Sequence, residues 1–308
     1  MKSPTSDLRF RALFPPYRGV EPLERPASIP TDPLPPRGAA RIWNLVGDDW
    51  GGGFRAVRDR PPGVALFSLL PPADHFDGME RLLDLMEHCR PHSVLPHMSL
   101  LAAEELVPLL KGSPADLPSE VSEYLKWRGV EVDMDTRRLI RRTLELSDEL
   151  RTVSGLARSL YVSRRALGRR FMSRGLPVPS HWLHLGRILR ASLRLQHPQA
   201  TLHSVACEMG YPDGFALSNQ MHRLTKLRPS VMRECFGWEW IVEAWLNQEA
   251  LEGNLSPILR KALFGEEPNA PAAPPPRLLA TGTGPVRRVN VAERPAPQQP
   301  KGRSPRSR

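Results

Sequence analysis

Between residues 41 and 134 the apolar positions change period. "GVALFSLL" (63–70) is a short unbroken apolar run bounded by prolines, which reads as a strand. "FDGMERLLDLMEHC" (76–89) instead spaces Met79, Leu82, Leu83 and Met86 along one helical stripe. The order repeats in "HSVLPHMSLL" followed by "AAEELVPLLKG", and "GVEVDMD" (129–135) reads as a last strand after a helix near "SEVSEYLKW". The spacing predicts a small α/β module with parallel strands over 41–134. From Thr136 strand periodicity stops, and "TRRLIRRTLELSDEL" begins a helical pattern that runs to about residue 250. The expected fold class is α+β overall, with the small α/β module followed by an all-α domain (135–250) and a short helix (251–264).

Within the all-α domain the same design occurs twice. "TVSGLARSLYVSRRALGRRF" (152–171) has Thr152 as an N-cap, an apolar stripe at Leu156, Ala157 and Leu160, a break at "YV", and a second N-cap at Ser163. "TLHSVACEMGYPDGFALSNQMHRL" (201–224) repeats it about 49 residues later with Thr201, Val205, Ala206 and Met209, a turn at Gly210-Tyr211, and a helix carrying Leu217 and Met221. Small Ala157 and Ala206 let two helices joined by a tight turn cross closely. Gly210 suits the left-handed residue of such a turn, whereas Tyr161 in the same place implies strain. Two helix-turn-helix units are expected, and the second helix of each is the one that can enter a major groove.

Charge separates the regions. Residues 1–150 hold 19 Lys+Arg against 23 Asp+Glu, and residues 151–240 hold 14 against 4, a local excess of +10. That block calls for an anionic partner. Pro, 34 residues in all, clusters at the ends, so 1–40 and 265–308 read as disordered, the latter an Arg/Pro tail able to attract phosphates. Cys89, Cys207 and Cys235 form no CxxC pair or disulfide framework, which suits a reducing cytoplasm. The start lacks a signal-peptide core, and no apolar run reaches bilayer length.

The region 136–236 resembles the AraC-type transcription regulators, whose DNA-binding domain has two helix-turn-helix units joined by a long helix. Ser163, Leu167, Arg169 and Phe171 fit the family's S-x-x-x-L-x-R-x-F. Gly175, Pro179, Trp182, Arg187 and Ala191 fit its linker pattern, and Val205, Ala206, Gly210, Tyr211, Leu217, Met221, Pro229 and Arg233 fit the second unit. The chain departs from the pattern with Phe215 in place of Ser, Leu217 and Met221 in place of an aromatic, and Lys226 in place of Gly. The resemblance implies a bacterial-type regulator with double-stranded DNA as partner, RNA polymerase as a second candidate, and no cofactor.

Helical phase divides the basic run "SLYVSRRALGRRF" (159–171). Taking Leu167 as zero, Phe171 lies at about 40°, Gly168 at about 100°, Arg165 at about 160° and Arg169 at about 200°. Arg165 and Arg169 therefore point outward, and the resemblance places base contacts at Arg165, Gly168 and Arg169. Arg164 and Arg170 flank the stripe, suited to phosphates, and Ser163 starts the helix. None of the four arginines has an acidic residue three or four positions away. In the second unit the groove-facing set is Gly214, Phe215, Ala216 and Asn219, with one amide and no cation, so base readout is expected mainly from the first unit.

Other candidates carry less. "GVALFSLLPPADHFDGME" is similar to a receiver's phosphoacceptor run, but Ser68 stands at the acceptor position, and Asp48-Asp49 lie only about 20 residues upstream, too few for the βα units between. At most this is a degenerate receiver-like module with a partner-binding or homodimerisation role. His88, Cys89, His92 and His97, or His203 with Cys207, lack the second close pair that a metal site needs. "GDDWGGGF" (47–54) reads as a turn, and no catalytic constellation stands out. Two functions stay open: a DNA-reading regulator, or a protein-interaction module on a helix-turn-helix scaffold that no longer reads DNA.

Overall fold

A computed structural model describes residues 10–23, 37–45, 50–72, 79–96 and 102–265. Asp48, Asp49, His97 and the 266–308 tail, on which expectations above fall, lie outside them. Five strands form one mixed sheet: β1 (Phe10–Leu13), β2 (Val20–Pro22), β3 (Ala40–Asn44), β4 (Ala65–Leu69) and β5 (Ser93–Leu95), in the order β2-β1-β3-β4-β5. β3, β4 and β5 are parallel, and β1 runs antiparallel to both β2 and β3. Parallel neighbours need crossovers. These are α1 (Trp50–Arg58), and α2 (Met79–Asp84) extended by a π-helical turn (Leu85–Cys89).

Every residue of β4 is buried, in keeping with its unbroken apolar run. Alternate residues feed two cores. Ile42 and Phe67 meet Leu106 and Leu110 of α3 (Ala103–Lys111) on one face; Trp43 and Leu66 meet Val57, Leu85 and Cys89 on the other. Among the described residues three strands are parallel, and Ser68 is buried inside β4 with its hydroxyl unpartnered.

Four sequence expectations are corrected. Residues 10–23, assigned to a disordered 1–40 segment, form β1 and β2, because Phe10 and Leu13 gain burial by pairing with β3, a long-range contact that composition does not reveal. "GVEVDMD" is not a strand: Asp133 caps α5 (Met134–Leu146) by accepting from Thr136 N at 2.9 Å, and the cap overrides the short alternation. Gly51, Gly52 and Gly53 of "GDDWGGGF" lie in α1, where a Cβ on Gly53 would meet the Trp43 ring at 2.9 Å, and Gly47 lies outside the described residues. Finally, α4 (Leu117–Trp127), placed by sequence in the 41–134 module, contributes Val121, Tyr124 and Leu125 to the helical core instead.

The helical region continues with α6 (Val153–Ser159), α7 (Arg164–Met172), α8 (Pro179–Leu195), α9 (Leu202–Glu208), α10 (Gly214–Thr225), α11 (Pro229–Glu234), α12 (Glu239–Leu251) and α13 (Pro257–Phe264). Its centre is aromatic: Trp182 of α8 meets Trp245 of α12 edge-on at 4.8 Å and Phe171 of α7 at 6.1 Å. Trp238, Trp240 and Trp245 are all buried, so the tryptophan-rich segment closes this core.

That same segment carries the sheet. Tyr17 stacks on Phe236 at 4.5 Å, and its hydroxyl accepts from Phe236 N at 2.7 Å while donating to Gly38 O at 3.0 Å. Tyr124 donates to Glu243 at 2.8 Å and accepts from Gly63 N at 2.9 Å. His92 sits with Nδ1 2.7 Å from Glu239 Oε1 and Nε2 3.2 Å from Leu109 O. Both neighbours are oxygen acceptors, so the geometry favours the doubly protonated ring.

Burial works against both charges of this pair, but each partner outweighs it for the other. The His92 pKa stands above its ordinary value, and Glu239 is held down to about 2 with help from Arg90. The raised histidine stabilises fully below the ordinary histidine range, and that contribution is lost as pH rises through its folded value. The depressed carboxylate stabilises fully above the ordinary carboxylate range, and its contribution is lost progressively as pH falls from that range to about 2. The denaturation midpoint is therefore expected to fall as pH climbs past the histidine range. His92→Gln should flatten that alkaline limb in denaturant titrations run across pH.

Candidate nucleic-acid interface

Both helix pairs close the same way. In the first, Ser163 Oγ caps α7 by accepting from Ala166 N at 3.1 Å, while Tyr161 N donates to Arg158 O and Val162 N to Ala157 O. In the second, Asp213 caps α10 by accepting from Ala216 N at 2.7 Å, while Gly210 N donates to Cys207 O and Tyr211 N to Ala206 O. Each pair of backbone bonds needs one left-handed residue. Gly210 supplies it at φ 71° and Tyr161 at φ 54°, the latter at roughly 1–2 kcal/mol with its ring 96% exposed. Arg187 of α8 fastens the second turn to the linker by donating to Met209 O at 2.6 Å and lying 4.2 Å over the Tyr211 ring. Burial lowers its pKa.

The two units match residue for residue once Pro212 is counted. The offset is 49 from Thr152/Thr201 to Tyr161/Gly210, and 50 from Ser163/Asp213 onward. Leu167 and Phe171 then correspond to Leu217 and Met221, all four fully buried. On the opposite side Arg164, Arg165, Arg169 and Arg170 correspond to Gly214, Phe215, Asn219 and Gln220. This correspondence, which a uniform repeat of 49 obscures, sets Ser218 opposite Gly168.

All four arginines of α7 are exposed, and among the described residues none forms an ion pair. Three exposed arginines of α5, by contrast, are engaged: Arg138 pairs with Asp135 at 3.7 Å, Arg141 with Asp116 at 2.7 Å and Arg142 with Glu145 at 2.7 Å. Arg165 and Arg169 are one helical turn apart, and a Cβ built on Gly168 would meet nothing within 4 Å, so the surface between them is open. Arg170 lines a cleft of about 560 Å³ shared with Arg138, Arg141, Arg142, Asp135 and Glu145.

The second unit is less uniform than its sequence suggests. Phe215 and Asn219 are exposed, but Gly214 packs inward, since a Cβ there would meet Leu202 Cγ at 3.1 Å, and Ala216 is half-buried. Gly214 is thus a spacer between α9 and α10. Lys226 ends α10 in the left-handed conformation at φ 56°, which explains the Gly of the AraC-type pattern at this position. Among the described residues no group of three or more His, Cys, Asp or Glu is placed to hold a metal, and Cys207 Sγ meets only His203 Nε2 at 3.7 Å.

Among the described residues no helix is long and apolar enough to cross a membrane. No curated protein and no solved structure matches the chain. The family model described as a helix-turn-helix domain matches residues 156–234, from within α6 to the end of α11. This segment, with both helix pairs and the linker between them, is similar to a helix-turn-helix domain, and the match supports an AraC-type domain with DNA binding in transcription regulation as its general role.

Proposed function

We propose that this chain is a transcription regulator that binds double-stranded DNA sequence-specifically, with most base readout made by Arg165 and Arg169 of α7. One observation carries the reading: α7 buries Leu167 and Phe171 completely and presents four arginines without acidic partners among the described residues. An arginine fork matches the O6/N7 edge of guanine in the major groove. Arg164 and Arg170, beside the core stripe, contact phosphates, which position the protein without specifying sequence. The sheet, docked through Phe236 and Glu239 just beyond the second unit, associates with a partner or senses a signal.

The two kinds of arginine separate in a salt titration of the full chain on duplex DNA. Affinity should fall steeply with salt, and Arg164→Ala/Arg170→Ala should flatten the log–log slope by about 1 for each phosphate no longer neutralised while keeping the same preferred sequence. A slope near zero for the unaltered protein would contradict the reading.

A further inference from the structure

We propose that α10 is a second reading helix of different chemistry, in which Phe215 seats against the C5 methyl of a thymine and Asn219 pairs with the N6/N7 edge of an adenine. The bound duplex then joins a guanine-bearing segment under α7 to an A·T segment under α10. This rests on the reading of α7 given above.

The residue correspondence between the two units points this way. Phe215 occupies the place of Arg165 and Asn219 the place of Arg169, on a helix held by an equivalent N-cap and an equivalent buried pair. α10 is complete without Phe215: Leu217 and Met221 fill the core while the Phe215 ring stays 78% exposed. An aromatic side chain left in water at the outward position of a groove-entering helix forgoes burial that it regains only against a ligand.

Chemistry then selects the ligand. Phe has neither donor nor acceptor, so the hydrogen-bonding edges of guanine, cytosine and adenine offer it nothing, and the thymine methyl is the apolar feature of the major groove. Asn pairs bidentately with adenine. Four residues of helix rise about 6 Å against about 3.4 Å per base pair, so the two contacts fall within about two base-pair steps of each other. Gly214 holds α10 close to Leu202.

The test uses the full chain and a duplex that it selects from a random pool. Each thymine is replaced in turn by deoxyuridine, which removes the methyl and keeps the base pairing. At one position the loss for the unaltered protein should be about fourfold, the worth of one buried methyl. Phe215→Ala should bind the thymine and uracil duplexes equally, and Asn219→Ala should lose its preference at a neighbouring A·T pair by roughly tenfold. Phe215 is a surface side chain, so folding is not at stake. Indifference to every thymine-to-uracil change, with guanine preference retained, would overturn this proposal and leave the reading of α7 standing. A pool with no enriched sequence would overturn both.

Discussion

Trp245→Ala is expected to destabilise the protein by about 3–5 kcal/mol, the range for emptying a large aromatic site in a packed core. The indole is fully buried and touches Trp182 edge-on at 4.8 Å, and Trp182 in turn touches Phe171 on the inner face of α7. The cavity would therefore open at the end of a run of touching rings that leads to α7. Trp245 Nε1 has no hydrogen-bond partner, so Trp245→Phe, which keeps a ring against Trp182, should cost well under half as much. Leu251→Ala on the same helix, 73% exposed, should change stability by less than about 0.5 kcal/mol. Denaturant titrations of the three variants check the ordering, and equal losses for Trp245→Ala and Leu251→Ala would refute the proposed core.

Arg165→Ala/Arg169→Ala should do the reverse, leaving stability almost unchanged and removing most sequence discrimination. Both side chains are exposed and, among the described residues, make no ion pair whose loss would strand a charge. In the proposed complex each arginine-to-guanine contact would be worth about 1–3 kcal/mol of discrimination, roughly fivefold to more than a hundredfold in preference. The two stand one turn apart, so their effects should couple and fall short of the sum. Binding to an arbitrary duplex should fall far less, because phosphate attraction from Arg164 and Arg170 persists. Comparing the variant's affinity for the selected site and for a scrambled duplex separates the two effects, and an unchanged ratio would count against the assignment.

Local signals made most of α7 legible in the sequence. Ser163 as a cap, Leu167 and Phe171 at a spacing of four, and outward arginines are features of one short segment, and the folded chain keeps each of them. β4 and the buried tryptophans were legible for a similar reason, since an unbroken apolar run or a cluster of indoles has few ways to avoid water.

What was not legible depends on distant partners. β1 and β2 are interrupted by Pro15-Pro16 and contain four and three residues, so they are strands only because β3 completes the sheet. The helix 117–127 shows its apolar face in the sequence but not which core it joins, and that choice is made by α5 and α12. In the second unit the extra Pro212 shifts the correspondence from 49 to 50. Gly214 then becomes a packing position against Leu202, and Phe215 and Asn219 fall opposite Arg165 and Arg169.

Base reading by the two arginines of α7 can be put to a selection of bound duplexes from a random pool, run with the full chain and, in parallel, with Arg165→Ala/Arg169→Ala. The unaltered protein should enrich a sequence with guanines, and those guanines should be lost from the pool bound by the variant. Recovery of the same sequence at the same affinity by both proteins would contradict that role.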